Sequence, residues 1–200
     1  MATKTLSKFK SQLAGGGARP NLFDIELTKV PFALNWNSEK FEFLAKATAL
    51  PAQNIAAIDV PFRGRTFKVA GDRTIDNWTV TVINDEDFGI RNALEQWTQG
   101  IANLEDNMGA TSPEAYMSDA KVFQLGRGDQ VASKGPGGTD RSVLKVYQFV
   151  SIFPVTVGDI ALSYESGDTI EEFDVEFAVQ SIRLLDNKRE QATSSDDTGN

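Results

Sequence analysis

The chain has 200 residues, 20 Lys and Arg against 28 Asp and Glu for a formal net charge of -8, and neither histidine nor cysteine. Those two absences remove disulfides, thiolate nucleophiles, iron–sulfur clusters, Cys- or His-ligated metal sites and every Ser-His-Asp or Cys-His relay, leaving carboxylate, lysine, tyrosine and hydroxyl chemistry. The acidic balance opposes a surface that grips nucleic-acid phosphates, which needs clustered Lys and Arg. The length suits one domain with arms and a sizeable core.

The start, MATKTLSKFK, is basic. The residues after it are polar and glycine-rich, where a secretory signal needs a continuous apolar stretch of about 7–15 residues. No apolar run approaches the roughly 20 residues that span a bilayer, so the chain reads as soluble and intracellular, with no membrane insertion. Leu6, Phe9 and Leu13 fall at i, i+3 and i+7, with Lys4, Lys8 and Lys10 elsewhere on the turn, which predicts a short amphipathic helix over Thr5 to Leu13. Gly15-Gly16-Gly17 then reads as a hinge, so that residues 1–17 form an arm.

Residues 18–186 make the body, and its dominant period is two. Phe23, Ile25 and Leu27 alternate with Asp24, Glu26 and Thr28; Trp78, Val80 and Val82 with Thr79 and Thr81; Phe173, Val175, Phe177 and Val179 with Glu172, Asp174 and Glu176. Phe41 to Thr48, Phe62 to Val69, Ala120 to Leu125 and Leu144 to Ile152 are further strand candidates, and Asn35 to Ser38 reads as a hairpin turn between Phe32 and Phe41. The helical period takes over at Ile90, Leu94, Trp97 and Ile101, with Asn84 as the expected N-cap, Asp85, Glu86 and Asp87 in the first turn and Gly100 at the end. The segment from Asn103 to Pro113 reads as an irregular connection. Gly126 to Arg141, with five glycines and one proline, reads as a long loop. Residues 187–200 hold no large apolar residue and read as a disordered tail.

Several motifs yield to plainer readings. Arg127-Gly128-Asp129 spells an adhesion tripeptide, but a glycine-rich loop in a charged chain produces it by accident. Gly135 to Gly138 lacks the spacing and following helix of a phosphate loop, and Asn77-Trp78-Thr79 reads as strand, not as a glycosylation acceptor. Asp24, Glu26, Glu172, Asp174 and Glu176 offer carboxylate pairs for glycoside hydrolysis. Their regular alternation with apolar residues instead makes them the wet face of a sheet, a poor place to raise a carboxyl pKa. Arg63, Arg65, Lys68 and Arg73 concentrate positive charge among Phe62, Phe67 and Val69. A nucleic-acid site and a long exposed hairpin reaching an acidic neighbouring subunit both fit, and the net charge favours the protein partner. Trp36, Trp78 and Trp97 would suit a monomeric carbohydrate-binding sandwich, but Trp78 and Trp97 lie in phase with apolar neighbours and are expected in the core.

Four blocks of sequence are informative beyond their pattern: ARPNLF (18–23), KATALPA (46–52), VAGDRTIDNWTVTVINDE (69–86), and FPVTVGDIALSYES (153–166) followed by FDVEFAV (173–179). In their order and spacing they resemble the tail tube proteins of contractile-tailed, T-even-like bacteriophages, from Ala18 to about Leu184. The arm with its triple glycine, the loop around Gly126 to Arg141 and the polar tail depart from that family. The resemblance implies a mainly β fold: a β-sandwich or β-barrel tube protomer with one flanking α-helix, similar to the type VI secretion tube protein. It implies a non-enzymatic virion protein with no cofactor or metal, whose hexameric rings stack into the inner tail tube and conduct DNA during ejection. Self, sheath, baseplate and tail-terminator proteins are the implied partners. Tape measure protein and genomic DNA would pass through the lumen without specific binding, and assembly would take place in the host cytoplasm. A type VI-like or other contractile injection tube carrying protein effectors is the alternative. By matching block, Asp59 to Thr74, with Arg63, Arg65, Lys68 and Arg73, becomes the hairpin between rings. The carboxylates Asp24, Glu26, Glu172, Asp174 and Glu176 become the expected lumen lining, on phase alone, since carboxylates repel phosphates. Ring closure would also pair strand edges that are an aggregation hazard in a lone protomer.

Overall fold

The computed structural model describes residues 6–13, 17–127, 143–165 and 167–185. Helix α1 (Leu6–Gln12) precedes β1 (Phe23–Leu27), α2 (Ser38–Leu44), β2 (Ala45–Ala49), β3 (Gln53–Phe62), β4 (Arg65–Ile75) and β5 (Trp78–Ile83). Then come α3 (Gly89–Ile101), α4 (Pro113–Tyr116), β6 (Ser118–Leu125), β7 (Val143–Val157) and β8 (Glu172–Leu185). The chain is mainly β, as expected. Six strands form one sheet in the order β1-β6-β7-β8-β5-β2, and β3 and β4 form a separate two-stranded sheet.

Two compact units are present, Met1–Glu26 with Ala120–Gln148 and Arg183–Asn200, and Leu27–Asp119 with Phe149–Ile182. In the first, Leu125, Val143 and Val146 form a buried cluster covered by Leu22, Phe123 and Leu185. Gln124 donates from its side chain to the carbonyls of Arg19 and Leu22, which fixes the entry of the chain into β1. Helix α1 forms as the spacing predicts, with every residue exposed. The glycine triplet falls outside the described residues except for Gly17, as do most of the Gly126–Arg141 loop and the tail 187–200.

The second unit holds the larger core. Trp78, Val80 and Val82 of β5 and Phe173, Val175 and Phe177 of β8 are buried, in the phase their alternation predicts. The Trp78 ring lies 4.9 Å from Phe149 and 5.2 Å from Phe177, and its indole N–H donates to Thr48 Oγ1 at 2.7 Å. Trp97 on α3 is equally buried, packs 6.0 Å from Phe177 and donates to the Tyr116 carbonyl. Trp36 donates to the Leu27 carbonyl at 2.8 Å and packs on Phe41. Both core expectations for tryptophan hold.

Four expectations are corrected. Phe41 to Thr48 is not one strand: Asn37 accepts from the Lys40 amide and caps α2, which buries Phe41 and leaves Phe43 exposed. The hairpin turn expected at Asn35 to Ser38 is therefore the entry to that helix. Phe62 to Val69 is not one strand either, because Arg63 and Gly64 turn the chain back. Finally, Asn84 does not cap α3. Its amide N–H and side chain both donate to Glu171, at 2.8 and 3.0 Å, and the helix starts at Gly89 after Phe88 in the left-handed region. Gly100 sits one residue before the helix end for a packing reason, since a Cβ there would run into the Phe32 ring.

Candidate functional site

The acidic strand residues keep the phase that alternation gave them. Asp24 and Glu26 lie half-buried around buried Ile25 in β1, and Glu26 stands 3.9 Å from Lys121. On β8, Glu172 and Asp174 are exposed and Glu176 is half-buried. Antiparallel pairing sets Glu172, Asp174 and Glu176 directly opposite Ile83, Thr81 and Thr79, so their side chains share one face of β5 and β8. Strand β2 extends that face with Ala47 opposite Thr81 and Ala49 opposite Thr79.

Local partners orient each of the β8 carboxylates. Thr81 Oγ1 donates to Asp174 at 2.6 Å, Asn77 Nδ2 to Glu176 at 3.5 Å, and Lys46 Nζ pairs with Glu172 at 2.5 Å. Lys46 reaches across because β2 is irregular between Ala45 and Ala47, a break in register that alternation alone does not reveal. Exposed pairs of this kind contribute about 0–1 kcal/mol each. Their effect is to hold a polar face rich in carboxylates and hydroxyls, with small Ala side chains at its edge.

The hairpin is the second feature. Strands β3 and β4 pair from Gln53↔Ile75 to Phe62↔Arg65. The two-residue turn uses φ 44° at Arg63 and φ 82° at Gly64, the type I′ geometry that suits the twist of the flanking strands. Directly opposed residues share a face, so Ile58, Val60, Phe62, Phe67 and Val69 lie together on one side. Asp59, Pro61, Thr66 and Lys68 lie on the other. Among the described residues neither face is covered: Phe62 and Phe67 are 66% and 67% exposed.

Its four cations are not one patch. Arg63 lies at the tip over the Phe62 ring, 5.4 Å from its centroid, and Arg65 sits opposite Phe62. Lys68 occupies the polar face with Asp59 at 3.6 Å. Arg73 lies beyond a break in register between Ile55 and Ala57 and donates to Gln53 Oε1. Only Arg63 and Arg65 belong to the tip.

The other end of β5 is acidic. Lys40 Nζ bridges Asp85 and Asp87, the latter at 3.1 Å, and the hydrogen bonds it donates to these carboxylates, Asp85 foremost, raise its pKa above the usual lysine value. Arg91 donates to the Gly158 carbonyl at 2.5 Å and to Glu95 at 2.6 Å and covers the Phe173 ring at 5.1 Å. The Gly158 amide in turn donates to the Asp174 carbonyl at 2.7 Å. Sequence reasoning missed this bracing, although a basic residue at an early turn of α3 pointed to it. Among the described residues no cluster of three or more acidic side chains is arranged to hold a metal ion, and no helix is long and apolar enough to cross a membrane.

A mainly β protomer with a carboxylate-lined sheet face and an apolar hairpin face that is exposed among the described residues has the surfaces of an assembly subunit. The profile of the family described as "Phage tail tube protein" matches residues 18–182, and the chain belongs to that family. It is 34% identical over 166 residues to the tail tube protein gp19 of Enterobacteria phage T4, covering 83% of this chain and 91% of the relative. The tail tube protein of Serratia phage KSP90 is 24% identical over 172 residues, 84% of this chain and 90% of that protein. Two solved assemblies share the fold. A chain of the anti-feeding prophage baseplate superposes with a TM-score of 0.58 at 9% identity, over 94% of this chain and 99% of its own. A chain of an extracellular contractile injection system's sheath-tube complex gives 0.54 at 12%, over 92% and 99%.

Proposed function

We propose that this chain is the non-enzymatic subunit of the inner tube of a contractile phage tail, closing into hexameric rings that stack through the β3–β4 hairpin and conduct DNA. The observation that carries the reading is the family match across residues 18–182. Its fold relatives occur in a baseplate and in a sheath-tube complex, in keeping with sheath, baseplate and terminator as partners of a tube assembled in the host cytoplasm. Phage relatives at 34% identity, against 9–14% for the injection-system chains, favour DNA over protein cargo.

Asp24, Glu26, Glu172, Asp174 and Glu176 are the proposed lumen lining. A conduit should not hold its cargo, and carboxylates repel phosphates where Lys and Arg release counterions and bind. Residues 1–17 and 187–200 act as arms on the 18–186 body. The reading is tested by negative-stain microscopy and sedimentation of the purified chain. Hollow rings or tubes are expected, and a monodisperse monomer at all concentrations overturns the proposal. For the lining, tubes bearing Asp174→Lys and Glu176→Lys should retain DNA in a salt-dependent way, while parental tubes should not. Equal retention by both removes these residues from the lumen.

A further inference from the structure

The register of the second unit places two unlike surfaces at opposite ends of the same strands. Strand β2 runs from Ala45, opposite Val82, to Ala49, opposite Thr79, and β5 runs from Trp78, opposite Phe177, to Ile83, opposite Glu172. The hairpin leaves from the Ala49 and Trp78 end, where the Asp76 amide donates to the Ala52 carbonyl and Asn54 Nδ2 to Asp76, closing its root. The β7–β8 connection enters at the Ile83 and Glu172 end. At about 3.3 Å per residue, the strands between these ends span roughly 17 Å and each hairpin arm about 30 Å.

The two surfaces are complementary. The hairpin offers Ile58, Val60, Phe62, Phe67 and Val69 on one face and Arg63 and Arg65 at its tip. The far connection exposes Leu162, Tyr164 and Ile170, also apolar and also uncovered. Residues 160–163 and 169–172 line a cleft of about 510 Å³, in the size range of sites that receive a compact side chain or ligand (about 300–1,000 Å³). Glu171 and Glu172 line it, the latter paired with Lys46; Asp159, Glu165 and Asp168 belong to the same connection, and no Lys or Arg occurs in sequence between Lys145 and Arg183. The entry to α3 adds Glu86 at the same end, beside Asp85 and Asp87, which Lys40 bridges. Gly158, held by Arg91 and by Asp174, fixes where the connection starts, so the cleft has a braced wall.

We propose that the hairpin of one copy docks its apolar face and basic tip into the acidic, apolar cleft at residues 160–163 and 169–172 of a second copy. Two different surfaces on opposite ends of one chain make a head-to-tail contact, which propagates along an axis instead of closing as a pair. Apolar burial supplies the contact, and the Arg tip against the acidic rim sets its register and rejects hairpin-on-hairpin association. This inference rests on the stacked-tube reading and names the surface that receives the hairpin.

The test reverses each side and then both. A chain with Arg63→Glu and Arg65→Glu, and a chain with Asp159→Lys and Asp168→Lys, should each lose about tenfold or more of sedimentable tube while melting like the parent, since all four positions are exposed. The chain carrying all four changes should regain tubes. Because the protein has no cysteine, a chain with Phe62→Cys and Leu162→Cys gives an independent reading: oxidised tubes should run as a ladder of linked chains without reductant, and neither single variant should. Normal tubes from the cleft-reversed chain, or no ladder from assembled double-cysteine tubes, overturns the docking and leaves the stacked tube standing. A parental chain that never assembles overturns the stacked-tube reading and the docking with it, whereas normal stacking by the hairpin-reversed chain overturns stacking through the hairpin tip, and the docking, and leaves the tube itself standing.

Discussion

Strands β5 and β8 and strands β3 and β4 obey the same rule, apolar residues at every second position, and meet opposite fates. In β5 the pattern Trp78, Val80, Val82 is buried; in β3 the pattern Ile58, Val60, Phe62 is exposed along its whole length. Alternation creates two faces but does not supply what covers one of them. The buried set stabilises the protomer, and the exposed set is apolar surface that the described residues leave open, which the proposed stacking would cover. Changes in the two sets should therefore separate folding from assembly.

The largest effect on folding is expected from Trp78→Ala. The side chain is fully buried, packs on Phe149 and Phe177 and satisfies its N–H on Thr48. Its loss should cost about 3–5 kcal/mol in urea unfolding. A cost below roughly 1 kcal/mol would mean that the core can close over the gap.

Next comes Gly158→Ala. A Cβ there would lie 2.7 Å from the Asp174 carbonyl oxygen, which the Gly158 amide also uses, and a backbone atom cannot swing away like a side-chain tip. The expected loss is about 1–3 kcal/mol, and it should weaken the sheet's acidic end without touching the hairpin.

Phe67→Ala inverts the order. In the protomer the side chain lies opposite Val60 on an exposed face, so unfolding should change by about 1 kcal/mol or less. Tube yield should fall sharply, as read by sedimentation. A variant that unfolds like the parent and still assembles normally would collapse the distinction between the two strand pairs.

How far the sequence carried depended on whether a signal was local. The buried phases of β1, β5 and β8 come from alternation, and the acidic residues on the opposite face come with them. Helix α2 did not, because Phe41 and Phe43 mimic a strand. The opposing signal, Asn37 as a cap with Glu39 in the first turn, is only a few residues long. Asn84 has the composition of a cap, but its bonds go to Glu171, far away in the chain. Lys46 on Glu172 and Arg91 on Gly158 depend on register and on a break in β2 that no single strand encodes. The same limit separated the four hairpin cations: their clustering in sequence says nothing of the turn at Arg63 and Gly64 that puts Arg65 and Lys68 on opposite faces.

The smallest expected effect lies at the sheet's acidic end and tests whether its charges act through local pairing. Lys40 is held by Asp85 and Asp87, and these hydrogen bonds raise its pKa above the ordinary 10.5. A cation whose pKa is raised on folding contributes stability that is fully present below its unfolded pKa and lost as pH rises through the folded one. The difference in melting temperature between the parent and Lys40→Met should therefore be constant from neutrality to about pH 9 and shrink only in stronger alkali. A difference that changes within the neutral range would show that another group titrates at this end, and that Lys40 alone does not account for how Asp85 and Asp87 are held.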